Sequence, residues 1–185
     1  MKTAIKTGEL IKTAVFAALL CAAAPFSVPV GPVPISLATL VIYIAAGVLG
    51  RAQATLAVFV YILLGAAGLP VFTGFSGGLF KLVGVTGGYI LGYIPLAYIS
   101  GSAGVGAREG ASSLSRAGAY IAAMIIGTAA LYAIGTAWFM FISGNSLFGA
   151  LAVCVLPFLV GDAAKIAAAA VIAPAVRRGL RGLLS

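Results

Sequence analysis

Pro157-Phe158-Leu159-Val160-Gly161-Asp162-Ala163-Ala164-Lys165 sets an acid and a base inside a long apolar run, and no other stretch of the chain does so. On an α-helix, residues three apart differ by about 60° in rotation and about 4.5 Å in rise, so Asp162 and Lys165 share one face. Two such groups in an apolar setting have few uses. They can hold one small polar molecule between them, or they can simply neutralise each other. A third reading has Lys165 snorkelling to a membrane surface while Asp162 caps a helix start near Pro157 and Gly161. Ionisable groups at membrane depth are functional candidates by default, which favours the first use.

The composition sets that depth. Hydrophobic residues make up 63% of the 185 and charged residues 8%, with a mean hydropathy of +1.21. A soluble domain of this length would carry far more charge to cover its surface. The chain therefore reads as an all-α polytopic membrane protein, a single transmembrane domain over residues 1–185. Its net charge of +8 comes from 11 Lys and Arg against Glu9, Glu109 and Asp162. The basic residues lie between apolar runs, so they read as orientation signals and not as a nucleic-acid surface. Cys21 and Cys154 show no CxxC spacing and there is no His, which argues against a zinc or iron–sulfur site. Lys2, Lys6 and Lys12 before an apolar run imitate a signal peptide. Further apolar runs follow at once, so a retained first span is expected.

Six spans can be drawn: Leu10 to Val28, Ile35 to Gly50, Ala52 to Leu69, Gly84 to Gly101, Ala117 to Ile142, and a last one within Leu147 to Val176. In the last, Pro157 suits a first helical turn. With both termini in the cytoplasm of a cell membrane, Lys2, Lys6, Lys12, Arg51, Arg108, Arg116, Arg177, Arg178 and Arg181 all fall inside, nine of the 11 basic residues. Lys81, in an outer loop, and Lys165, within the last span, are left unexplained by topology.

External segments run from Pro25 to Pro34, from Pro70 to Val83 and through Ser143-Gly144-Asn145. The middle one, rich in Gly with Phe72, Phe75 and Ser76 interspersed, can turn sharply. It reads either as a solvated loop or as a segment that re-enters and covers a cavity. Gly74 through Lys81 is not a phosphate loop, because the Gly-Lys-Ser/Thr ending and a preceding strand are missing. Two rows of small residues at intervals of four, Ala14-Ala18-Ala22 and Gly84-Gly88-Gly92, each allow close helix approach. The glycines are expected to pack within the molecule, and the alanines to offer a face to another membrane protein.

Pro32-Val33-Pro34-Ile35, Gly68-Leu69-Pro70-Val71-Phe72, Thr86-Gly87-Gly88-Tyr89 and Gly161-Asp162 with Lys165 follow one another in an order that is specific in combination. Over almost its whole length the sequence resembles the BioY-type biotin-binding S components of energy-coupling factor (ECF) transporters. The resemblance implies a six-helix protein that captures biotin from outside, working with a transmembrane T subunit and two ATPase subunits. It implies that Ala14, Ala18 and Ala22 dock on the T subunit. It also implies that Asp162, Lys165, Ser76 and Tyr89 lie on the ligand side. The chain departs from many members at Ser76, Ile90 and Ala38, where Asn, Arg and Gln are frequent.

Biotin offers a carboxylate, a ureido ring with two N–H donors and one C=O, and an apolar bicycle with an aliphatic tail. Asp162 can accept the ureido N–H groups and Lys165 can hold the carboxylate, with Lys81 the alternative cation and the Ser76 hydroxyl available to the ureido oxygen. Phe72, Phe75 and Tyr89 would supply apolar walls. Biotin would then be cargo, with no cofactor required. An integral-membrane enzyme would need paired carboxylates, a Ser/His dyad or metal ligands, and the chain has almost none of these. A self-sufficient secondary transporter lacks the expected internal duplication, and an S component for thiamine or riboflavin is the nearest rival. No Walker sequence occurs, so ATP must be bound elsewhere if transport is ATP-driven.

Overall fold

The computed structural model describes residues 7–28, 32–104 and 112–182. In order these form α1 (Thr7–Ala23), β1 (Ser27–Val28), β2 (Ile35–Ser36), α2 (Ala38–Leu49), α3 (Arg51–Ala66), α4 (Leu79–Val83), α5 (Gly87–Ser102), α6 (Ser113–Ser143), α7 (Leu147–Cys154) and α8 (Leu156–Gly182). Apolar composition makes the helices, and Gly, Ser and Pro bound them. Ser112 caps α6 by accepting from the Ser115 N–H at 3.2 Å, and Gly144, at φ 70°, ends it in the left-handed conformation that glycine adopts without steric cost.

The result is an all-α helical bundle. α6 and α8 are each long and apolar enough to cross a membrane, and α2 and α3 are shorter apolar helices. Large apolar side chains point away from the protein: Leu114, Phe141, Phe148 and Val160 are 84%, 83%, 84% and 80% exposed. Such faces suit a lipid solvent. The last apolar run divides at Val155 into α7 and α8, and Pro157 sits in the first turn of α8, where a missing N–H costs nothing. The Pro-rich connection carries a two-residue antiparallel ribbon, Ser27 opposite Ser36 and Val28 opposite Ile35, which no sequence pattern announced.

α2 is the hub. Nine of its 12 residues are buried, and it packs against α1, α3, α5 and α8. Small residues permit this crowding. A Cβ on Gly47 would overlap the Tyr120 ring and Ala173, and the Tyr120 hydroxyl donates to the Tyr43 carbonyl beside it. α5 and α6 interlock by the same device from both sides. Gly88 receives Trp138, Gly92 receives Leu131, Gly127 receives Leu96 and Ser100, and Gly135 receives the Tyr89 ring. With little hydrophobic drive between helices in lipid, such close van der Waals packing holds them together. The glycine row thus packs internally, as expected at Gly88 and Gly92. Gly84 does something else, accepting from Trp138 Nε1 through its carbonyl at 2.9 Å.

Candidate functional site

Asp162 and Lys165 lie on one face of α8 and touch, Nζ to Oδ1 at 3.0 Å. Asp162 is 4% exposed. Its Oδ1 also accepts from Thr39 Oγ1 at 3.3 Å, and its Oδ2 accepts from the Tyr132 hydroxyl at 2.6 Å. Lys165 donates to the Ser36 carbonyl at 2.8 Å and to Thr39 Oγ1 at 3.0 Å as well as to Asp162. Thr39 therefore relays, accepting from the ammonium and donating to the carboxylate.

The four elements arrive here for local reasons. The Ser36 hydroxyl donates to the Ala24 carbonyl at 2.9 Å and accepts from the Ala38 N–H at 3.0 Å, which pins the ribbon to the start of α2. Ser36 and Thr39, three residues apart, then converge on one ammonium. Tyr132 enters from α6. A buried ion pair carries a desolvation cost that attraction offsets only when the remaining donors and lone pairs are also satisfied. Here all three Lys165 donors are used, and Asp162 keeps about one of its four acceptor sites open.

A second feature lies under the Gly-rich loop. A cavity of about 300 Å³, within the range of small-ligand pockets, is walled by Pro32, Pro34, Phe72, Ser76, Lys81 and Ile90, among others. The loop is anchored by Gly78 N–H donating to the Gly65 carbonyl at 2.7 Å, and by Gly74 N–H donating to the Pro25 carbonyl at 3.0 Å. Phe72 is 1% exposed and meets Tyr61 edge-on at 5.6 Å, over Gly65, where any Cβ would strike its ring. The Ser76 hydroxyl donates to the Thr73 carbonyl at 2.8 Å. The ammonium of Lys81, a half-buried residue of α4, has no hydrogen-bond or ion-pair partner among the described residues.

The expected site residues thus fall into two groups and two outliers. Asp162 and Lys165 form the cluster, while Phe72, Ser76 and Lys81 share the cavity. Tyr89 lines neither. Its hydroxyl donates to the Cys154 carbonyl at 3.1 Å and lies 3.1 Å from Thr136 Oγ1, inside the α5–α6 packing. Phe75, expected as an apolar wall, is 62% exposed and meets Phe26 edge-on at 5.4 Å. Thr39, Tyr132 and the Ser36 carbonyl were missed. The available signal was a hydroxyl inside each of two apolar helices, shared with several other residues. Among the described residues no three His, Cys, Asp or Glu side chains gather as a metal set.

On α1, Thr13, Phe16, Ala17 and Leu20 are buried, whereas Ala14, Ala18 and Ala22 are exposed on the opposite side with Ile11, Val15 and Leu19. That face has no partner among the described residues. Lys2, Lys6, Arg108 and the Arg181 side chain, which entered the charge count, lie outside what is described.

The model of the BioY family matches residues 1–182. A biotin transporter BioY of Thermotoga maritima is 39% identical over 165 residues, covering 89% of this chain and 93% of that protein. A probable biotin transporter BioY of Pyrococcus horikoshii is 36% identical over 170 residues, covering 91% and 96%. The crystal structure of an S-component for biotin from an ECF-type ABC transporter superposes with a TM-score of 0.82 at 26% identity, covering 96% of this chain and 95% of that one.

Proposed function

The chain belongs to the BioY family, and from that membership we propose that it captures biotin outside the cell and carries it across the membrane as the S component of an ECF transporter. The likeness to biotin transporters over nearly its whole length, in sequence and in fold, carries this reading. It is a transport protein and not an enzyme. Purified in detergent and titrated with biotin, thiamine and riboflavin, it should bind biotin alone. Binding of either other vitamin in place of biotin would reassign the cargo.

The ligand site in this reading comprises Asp162 and Lys165 with Ser76, Phe72 and Lys81, and Tyr89 is left in the α5–α6 packing next in sequence to Ile90 of the cavity wall. What supports the assignment is that one charged cluster and one cavity share the ribbon: Pro34 lines the cavity and Ser36, two residues on, binds Lys165. The exposed alanine row of α1 would meet a transmembrane T subunit, which in turn brings two ATPase subunits.

Six spans, α1, α2, α3, α5, α6 and α8, would cross the bilayer with both termini in the cytoplasm. α2 is only about 18 Å long against a hydrocarbon core of about 30 Å. Non-helical backbone at that depth is tolerated where protein covers it, and ahead of α2 the two strands of the ribbon pair with each other and the Ser36 hydroxyl donates to the Ala24 carbonyl. Charge supports the orientation. Arg51 opens α3 against Gly101 at the far end of α5, while Arg116 lies one turn before Tyr120, which fits Gly47 near the end of α2. Arg177 and Arg178 follow Ala173, which meets the same Gly47. Lys12 is on the half of α1 remote from Ala24 and Ser36. These five gather at one end of the bundle, opposite Lys81. In a background with Cys21 and Cys154 replaced, a thiol introduced by Ser102→Cys or Ser112→Cys should resist an impermeant reagent added to intact cells. Labelling from outside would reverse the orientation.

A further inference from the structure

We propose that Lys81 holds the carboxylate of the ligand in the loop cavity, while the Asp162–Lys165 cluster takes the uncharged ureido end. This rests on the biotin reading above. It reverses the order in which the sequence ranked the two cations, taking Lys81, the alternative, over Lys165.

Lys165 is poorly suited to a carboxylate. Each of its three N–H donors already has an acceptor, so an incoming anion must displace the Ser36 carbonyl, Thr39 or Asp162. It would also sit beside the Asp162 carboxylate on the same ammonium, with two like charges in a nearly dry setting. The cluster is neutral as it stands. What it offers is the remaining acceptor site of Asp162, which matches an N–H donor such as that of a ureido ring.

Lys81 is the opposite case. Its ammonium has no partner among the described residues, and the cavity it lines has no acidic side chain in its wall. The chain has three acids altogether. Asp162 is committed to the cluster, Glu9 is in the first turn of α1 at the other end of the bundle, and Glu109 lies outside the described residues. A half-buried cation facing an apolar cavity is a ready partner for an anion, because removal from water strengthens the attraction. The cluster and the cavity are also neighbours in the chain: Pro34 lines the cavity, and two residues on the Ser36 carbonyl accepts from Lys165.

The test uses the full chain in detergent, with biotin and its uncharged primary amide as ligands. Wild type should prefer the acid. Lys81→Met should weaken biotin on the order of tenfold to a hundredfold, the worth of one charge-assisted hydrogen bond, and should weaken the amide far less. Lys81→Arg should keep the preference, which separates loss of charge from loss of fold. Lys165→Met should weaken acid and amide alike. A Lys81→Met protein that still prefers the acid as wild type does, or a Lys165→Met protein that alone loses the preference, would overturn the assignment. So would a wild type that does not discriminate. If wild type binds neither ligand, it is the biotin reading that fails.

Discussion

Lys165→Met is expected to lower folding stability by about 3–5 kcal/mol and to weaken biotin on the order of tenfold to a hundredfold, because the Asp162 carboxylate that accepts the ureido N–H loses the ammonium that holds it in place. The stability loss comes from what remains. Without the ammonium, Asp162 is a carboxylate 4% exposed with only Thr39 and Tyr132 to solvate it. Asp162→Asn should be milder in stability. Asn can keep contacts to Thr39 and Tyr132, and Lys165 retains the Ser36 carbonyl and Thr39. Its effect on biotin should equal that of Lys165→Met, because an anionic acceptor becomes a neutral amide. The double variant separates the two roles of the pair. Removing both charges should recover most of the stability lost in Lys165→Met, since no uncompensated ion is left, yet binding should stay as poor as in either single variant. Chemical unfolding and biotin titration of the three proteins measure both quantities. Wild-type affinity in the double variant would make the pair a private structural tie and end its assignment to the ligand.

Ala18→Leu should impair uptake while leaving the isolated protein folded and competent for biotin. Ala18 is exposed between Ala14 and Ala22, so a larger side chain meets lipid in the isolated protein and clashes only when a helix of the T subunit comes close. Overpacking at such a contact costs about 1–3 kcal/mol, or roughly fivefold to more than a hundredfold in association. Co-purification with a T subunit reads this directly. Ala17→Leu is the contrasting control, because Ala17 is 2% exposed against the bundle and the same enlargement there should lower the unfolding midpoint. Should Ala18→Leu lose biotin binding in the isolated protein, the alanine row belongs to the interior and the docking face lies elsewhere.

Much of the architecture was legible in the chain because it is local. Apolar runs broken by Gly, Pro and Ser marked the helices to within a few residues. The exceptions are the last run, where the break at Val155 carries no Gly or Pro of its own, and α4, a short helix inside what read as the loop from Pro70 to Val83. Two rows of small residues with the same period of four ended on different sides of the molecule. Gly88 and Gly92 take Trp138 and Leu131 from a neighbouring helix, whereas Ala14, Ala18 and Ala22 face outward. Their spacing could say only that each row shares a helix face.

The sequence by itself determined that Asp162 and Lys165 would share one face, since three residues on a helix place them there whatever surrounds it. It also determined that the chain is an apolar helical bundle, because so little charge cannot cover a water-facing surface. Only the tertiary structure decided that the pair would be closed by Thr39, Tyr132 and the Ser36 carbonyl, from positions 123, 30 and 129 residues away along the chain. Only it separated Tyr89 from the cavity and left Lys81 unpaired beside it. The physical reason is the reach of the interactions. Helix periodicity repeats over a few residues and can be counted in one dimension. The partner of a buried hydroxyl or ammonium is set by which helices come within about 10 Å of each other, and that is a sum over packing contacts from the whole chain.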